Sequence, residues 1–371
     1  MRILSYYFFA LILTGLPIIA YSAPYCAPFW LLGGHLQTIY AATIANAPQV
    51  TYRRERWDLP DGDFVDADWA EPDLEEVDRL NFSEDKQLAS QKSPIVVLFH
   101  GLEGNSQSSY ARALMSATKA KGWRGVVIHF RGCSGKPNRL PRVYYAGDTP
   151  EIQLLLSRVR EQAPNAPIYA VGVSLGANAL LKWLGETGEA ANKIIAKAAA
   201  ISAPMDLAAS ATALDTGLNR VIYTPRFVNS MRPKALEMLA RFPGLLDAEK
   251  INAAKTIHDI DNAVTAKLFG AKDANDYYAQ NASKPWLMQI SLPTLILNAK
   301  NDSFVPEESL PTAAEVSAFV TLEYPATGGH AGFSGQDNWL PNHLLEFFDT
   351  ENLCLHPNDC IQNHNLNVLQ K

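Results

Sequence analysis

Residues Gly172-Val173-Ser174-Leu175-Gly176 have the G-x-S-x-G spacing of a sharp strand-to-helix turn that lifts a serine hydroxyl clear of its surroundings. Such a turn needs small residues two positions either side of the serine, because the bend presses them against the adjacent strand and helix. At ordinary Gly and Ser usage a chance match is expected in about 0.1 chains of this length. The setting therefore carries the reading: residues 168–173 form a continuous apolar run, and residues 175–184 have a helical pattern. A serine hydroxyl is a weak nucleophile at neutral pH, so Ser174 needs a base and an acid that orients the base. On this kind of turn the chain order is Ser, then Asp or Glu, then His.

The histidines after Ser174 are His258, His330, His343, His356 and His364. Of these, His330 stands in a glycine-rich turn, Thr327-Gly328-Gly329-His330-Ala331-Gly332-Phe333, that follows a predicted strand and can aim an imidazole at the nucleophile. His258 falls in a helical insertion, His343 in the closing helix, and His356 and His364 in the tail, where packing or surface roles are expected. For the acid, Asp302 lies beyond the predicted strand 294–298, where a loop carboxylate can reach an imidazole Nδ1. Asp206, after the preceding strand, is the alternative acid. A tetrahedral intermediate also needs amide donors. Phe99-His100-Gly101-Leu102-Glu103-Gly104 follows the first parallel strand, and the amides of Leu102 and Leu175 are the candidate oxyanion hole. The helix starting at Leu175 adds its positive end. His100 is expected to support this turn through a hydrogen bond rather than act as base. Cys133 has no base near it in sequence and reads as a buried turn thiol.

These residues require elements that bring them to one edge. Residues 52–59 and 64–69 flank Pro60-Asp61-Gly62-Asp63 as a hairpin, and residues 71–93 read as a polar surface loop. Predicted strands 95–99, 125–130, 168–173, 196–202, 294–298 and 320–324 then alternate with helices 110–121, 151–162, 175–184 and 340–348. Short apolar strands alternating with amphipathic helices predict an α/β fold, with a mostly parallel sheet covered on both faces. About residues 205–290 break the alternation, and as an insertion at the sheet's carboxyl edge they are expected to be a mainly helical cap over the site. Tyr223, Phe227, Phe269, Tyr277 and Tyr278 in this insertion either line an acyl pocket or form the core of the cap.

Composition narrows the function. The 371 residues include 38 acidic and 32 basic side chains for a net charge of −6, and 47% are apolar. With no basic run beyond the cluster at residues 53–56, a nucleic-acid surface is excluded. Ordinary apolar content excludes a disordered chain. Cys26, Cys133, Cys354 and Cys360 lack the C-x-x-C spacing of a zinc site. Only Cys354 and Cys360 are close enough to suggest a bridge, and two free thiols beside a polar tail is the plainer reading.

Residues 3–52 contain no Asp, Glu, Lys or Arg. Their first part, residues 3–20, is an apolar run followed by Ala20-Tyr21-Ser22-Ala23, with small residues suited to signal peptidase. Its length is borderline between a signal-peptide core and a short membrane span. Residues 1–23 are accordingly a signal peptide or membrane anchor with Arg2 on the cytoplasmic side, and residues 24–371 the catalytic chain, exported or membrane-associated. The competing reading is a mis-assigned start or an apolar helix packed on the body. Residues 28–38 do not span a membrane, because glycines, proline and polar residues interrupt them.

Taken together, Gly34-His35-Leu36-Gln37-Thr38-Ile39, Asp61-Gly62-Asp63 with Asp68-Trp69, His100-Gly101-Leu102-Glu103-Gly104, Phe130-Arg131-Gly132-Cys133-Ser134-Gly135, Gly172-Val173-Ser174-Leu175-Gly176-Ala177-Asn178 and Gly328-Gly329-His330 resemble the YheT-like branch of the α/β-hydrolase superfamily, the AB hydrolase 4 family. The resemblance runs from about Phe29 across nearly the whole chain. It implies an α/β-hydrolase fold and a carboxylic ester hydrolase with Ser174, Asp302 and His330 as its triad. The chain departs at Asn301 and Ser303, where related sequences often read Asp-Asp-Pro; Asp302 itself is kept, so a change of loop geometry is expected. The apolar leader is a second departure, since bacterial relatives are usually soluble and cytoplasmic.

The expected activity is hydrolysis of short- to medium-chain acyl esters through an acyl-enzyme, extending to acylglycerols if the leader holds the enzyme at a membrane. No metal or organic cofactor is required, and the partner is a small-molecule ester. Acyl transfer or thioester hydrolysis would use the same triad, and a non-catalytic binding module could share the fold.

Overall fold

Apolar runs too short for helices form the strands of one sheet in the computed structural model, which describes residues 25–72, 92–335 and 338–350. The strands are β1 (Arg53–Asp58), β2 (Phe64–Ala70), β3 (Ile95–Phe99), β4 (Arg124–Ile128), β5 (Ile168–Val173), β6 (Lys197–Ile201), β7 (Thr294–Leu297) and β8 (Val320–Glu323). Their order across the sheet is β1-β2-β4-β3-β5-β6-β7-β8. The hairpin β1–β2 is antiparallel, with Arg53 opposite Trp69 and Asp58 opposite Phe64, and β2 runs antiparallel to β4. Every later pairing is parallel. The chain therefore has the expected α/β-hydrolase architecture.

Alternate side chains of the central strands enter opposite cores, as the period of two requires. Val97 and Phe99 of β3 join Ile128, Ala170, Leu155, Leu180 and Trp183 on one face. Val96 and Leu98 join Val127, Val171, Met115, Leu344 and Phe348 on the other. Helix α1 (Gly33–Ile39) lies outside this arrangement. The chain covers the first face with α3 (Thr149–Gln162) and α4 (Leu175–Thr187), and the second with α2 (Ser109–Ala120) and the closing helix Trp339–Asp349. Pro150 opens α3, where its missing N–H costs nothing.

Two details differ from expectation. Strand β4 stops at Ile128 rather than residue 130: His129 N still donates to Asp66 O of β2, but Phe130 N donates to the His100 ring instead of to a backbone carbonyl. Residues Gly33–Ile39, to which the sequence pattern assigns no element, form helix α1, followed by a π-helical turn at Tyr40–Ile44. Between β6 and β7 the chain is helical, with Leu207–Leu214, Gly217–Ile222, Thr224–Arg241, Ala248–Ala253 and Ala274–Asn281 among its helices. Residues 1–23, most of the 71–93 loop, His356, His364, Cys354 and Cys360 lie outside the described residues. Among the described residues no helix is long and apolar enough to cross a membrane.

Candidate active site

Ser174 joins β5 to α4 at φ 78° and ψ −114°, a conformation that a side-chain-bearing residue rarely adopts. Its neighbours explain the glycine spacing. A Cβ on Gly172 would lie 2.5 Å from Ala177 Cα, and one on Gly176 would lie 2.5 Å from the carbonyl oxygens of both Phe99 and His100. Gly101, on the turn after β3, would bring a Cβ to 3.0 Å from Ser174 Cβ. The three positions let the turns after β3 and β5 pack backbone to backbone beside the hydroxyl.

Ser174 Oγ is 2.8 Å from His330 Nε2. On the other side of the ring, Nδ1 is 2.9 Å from Asp302 Oδ2 and 3.1 Å from Oδ1. A carboxylate can only accept, so Nδ1 carries the proton and Nε2 presents its lone pair to the serine. Asp302 is buried and is fixed by two further donors, the amides of Phe304 at 2.8 Å and Val305 at 3.3 Å. Phe304 also stacks on the imidazole at 4.2 Å between centroids. The structure thus brings Ser174, His330 and Asp302 into one hydrogen-bonded line. Asp206, the alternative acid, is instead the N-cap of Leu207–Leu214 and accepts from Ala209 N. His258 pairs with Asn262, and His343 with Glu323.

The turn after β3 is held by aromatic hydroxyls that sequence reasoning missed. Tyr110 Oη accepts from Gly101 N at 3.0 Å, Tyr144 Oη accepts from Glu103 N at 2.9 Å, and Gly104 N closes the turn onto Gly101 O. Among the described residues the Leu102 amide, between them, has no protein acceptor. Leu102, Leu175, Ser174 and His330 line the same cavity. His100 supports the turn as expected: its ring donates from Nδ1 to Gly101 O at 2.8 Å and accepts at Nε2 from Phe130 N at 3.1 Å. Burial pushes its pKa down to about 3, which keeps it neutral. Glu103 reaches across to the helix Thr224–Arg241, where Lys234 Nζ lies 2.7 Å away and the Ser230 hydroxyl donates to it. Cys133 is buried, and burial pushes its thiol up to about 12, so it is not poised as a thiolate.

The cavity at this site has a volume of about 380 Å³. Apolar side chains of the β6–β7 segment, including Leu207, Leu214, Phe227 and Met231, form one wall, with Tyr277 and Tyr278 beyond them. The other two aromatics singled out in the insertion pack: Tyr223 is buried against Phe304 and stacks on His35, while Phe269 packs on Tyr145 and Tyr277. Among the described residues no cluster of three or more His, Cys, Asp or Glu side chains is arranged to hold a metal ion.

This fold, with a serine on the turn after β5, places the molecule in a class that sequence comparison identifies directly: residues 94–335 match the profile of the alpha/beta hydrolase fold. The YheT protein of Escherichia coli K12 is 36% identical, over 85% of this chain and 90% of its own. Human phospholipase ABHD3 is 28% identical over 83% of this chain and 73% of its own, and the monoacylglycerol lipase of Saccharomyces cerevisiae 28% over 85% and 78%. Among solved structures, the Pyrococcus furiosus esterase Pf2001 superposes with a TM-score of 0.50 at 14% identity, covering 82% of this chain and 97% of that one. Ferulic-acid-bound Est1E from Butyrivibrio proteoclasticus gives 0.50 at 15%, covering 81% and 98%. These two structural matches speak for the fold. The chain belongs to the α/β-hydrolase family, in its YheT-like branch.

Proposed function

We propose that Ser174, His330 and Asp302 cleave carboxylic esters through an acyl-enzyme. The enzyme is a carboxylic ester hydrolase. Ser174 Oγ attacks the carbonyl carbon as His330 Nε2 takes its proton, and Asp302 holds the imidazolium in register. The amides of Leu102 and Leu175 receive the oxyanion, assisted by the positive end of α4. Collapse expels the alcohol, which takes the proton from His330; water, deprotonated by the same ring, then attacks the acyl-serine and releases the acid. The segment at about residues 205–290 acts as a cap whose apolar side chains hold the acyl group. A 380 Å³ cavity suits a short- to medium-chain acyl ester, and the lipase and phospholipase names among the relatives support glycerolipid esters as candidates.

The observation that carries this reading is the continuous relay of 2.8 Å and 2.9 Å contacts opening on an apolar cavity. A fluorophosphonate probe tests it. The wild-type protein should label, Ser174→Ala should not, and His330→Ala should label at least about 100-fold more slowly. Labelling that persists in Ser174→Ala would remove Ser174 from the site. Initial rates over a series of nitrophenyl esters then set the acyl length.

A further inference from the structure

The loop that carries His330 has an unusual means of support. Four consecutive backbone N–H groups, those of residues 328–331, each donate to a different side-chain oxygen from elsewhere in the chain. Gly328 N donates to Gln37 Oε1 at 2.9 Å, Gly329 N to Asn301 Oδ1 at 3.0 Å, His330 N to Thr38 Oγ1 at 2.8 Å, and Ala331 N to Ser202 Oγ at 2.8 Å. The acceptors are themselves linked. Asn301 Nδ2 donates to Gln37 Oε1 at 2.9 Å, and the Thr38 hydroxyl donates to Gly34 O at 2.7 Å, which leaves its lone pairs for His330 N. Gln37, Thr38 and Ser202 are all buried.

This clamp requires close backbone approach. A Cβ on Gly34 would fall 1.9 Å from Asn301 O, and one on Gly329, at φ 61°, would fall 2.6 Å from Gly34 O. Helix α1 is therefore wedged between the loop that bears Asp302 and the loop that bears His330. A glycine-rich loop has little stiffness of its own, because its residues lose the most conformational freedom on ordering. Buried amides without acceptors would also be costly. Both facts give the four side chains one effect, which is to hold the His330 backbone in the conformation that puts its ring between Ser174 and Asp302.

We propose that Gln37 and Thr38, together with Asn301 and Ser202, are positioning residues for the imidazole, and that the segment Gly33–Ile39 is a working part of the site rather than a peripheral lead-in. This rests on the reading of His330 as the general base. It gives Asn301 a specific role, because its amide supplies a donor to Gln37 and an acceptor to Gly329 at once, which a carboxylate does not.

The decisive experiment uses the full-length protein and nitrophenyl butyrate. Thr38→Val keeps shape and removes the acceptor for His330 N. It is expected to lower kcat by about 10- to 100-fold, the scale of a small misplacement of a catalytic group, with KM within about twofold and a matching fall in the rate of fluorophosphonate labelling. Thr38→Ser restores the hydroxyl and is expected to recover kcat to within about threefold of wild type. A general weakening of the fold would not divide kcat from KM in this way or be rescued by serine. Should Thr38→Val fail to fold, Ser202→Ala, which takes the acceptor from Ala331 N, carries the same expectation. Unchanged kcat in the folded variant, with Ser174→Ala inactive, would overturn the clamp alone. Full activity in Ser174→Ala would overturn the triad and the clamp with it.

Discussion

The ring of His100 is fully buried and occupied at both nitrogens, donating to Gly101 O and accepting from Phe130 N. Only the neutral imidazole can make both bonds, and burial brings its pKa from 6.5 down to about 3. The unfolded chain therefore binds a proton between these values that the folded chain does not, so stability is present in full above about 6.5 and is lost as pH falls through that window. His100→Gln cannot titrate. The stability difference between wild type and His100→Gln, read from urea midpoints, should be about 1–3 kcal/mol at pH 7.5 if the Phe130 amide loses its acceptor, and should shrink steadily toward pH 4. A difference that does not change with pH would mean the ring is not held neutral. The role of His100 was legible in sequence because the residue adjoins the glycine turn after β3. Tyr110, Tyr144 and Phe304 were not, since nothing in the spacing of an aromatic side chain states which distant amide or ring it meets.

Elements followed their signals where the signal was local. The hairpin announced itself through the turn Pro60-Asp61-Gly62-Asp63 between two strand-length runs, and β3, β5 and β7 through short apolar runs. Helix α1 had no such signal. Its partners at residues 301 and 328–330 lie more than 260 positions along the chain, and its glycines, which read locally as breakers, are there for close contact. Gly185, inside α4, makes the same point in testable form. Helix propensity alone favours Gly185→Ala by about 1 kcal/mol. A Cβ there, however, would sit 2.2 Å from Trp286 O and 2.6 Å from Trp286 Cβ, in the turn Lys284–Gln289 that leads the inserted helices back to β7. Most of the obstruction is backbone, so the turn has to move, and overpacking of this kind costs about 1–3 kcal/mol. The clash should win: Gly185→Ala is expected to lower the urea midpoint, and a midpoint equal to or above that of wild type would show that the turn yields freely.

Across the whole molecule, Arg131 joins parts that the parallel sheet does not. Its Nη1 and Nη2 meet Asp63 and Asp61 of the hairpin turn, each at 2.9 Å, and its Nε meets Glu151 at the start of α3 at 2.6 Å. Arg131 and Glu151 are almost wholly buried, and Asp63 completely. Desolvating these charges offsets much of what their attraction gains, so the network is a poor source of net stability. Its consequence is asymmetric. Removing the cation takes the nearest positive charge from buried Asp63 and Glu151, with Arg142 still 3.5 Å from Glu151, and Arg131→Met should cost about 3–5 kcal/mol at neutral pH. Burial, followed by the neighbouring charge of Asp148, already pushes the Glu151 carboxyl up to about 7 with the guanidinium in place. Without Arg131 the folded chain holds that proton more firmly still, whereas the unfolded chain releases it near 4.5. The folded state then binds the extra proton across this window, and stability falls as pH rises through it. Arg131→Met should accordingly be closer to wild type at pH 5 than at pH 8, and adding Glu151→Gln should recover part of the loss at pH 8 but little at pH 5. If the two losses are equal, and Glu151→Gln recovers nothing at either pH, the hairpin is held to the parallel body by packing around Trp57 and Trp69 and not by these charges.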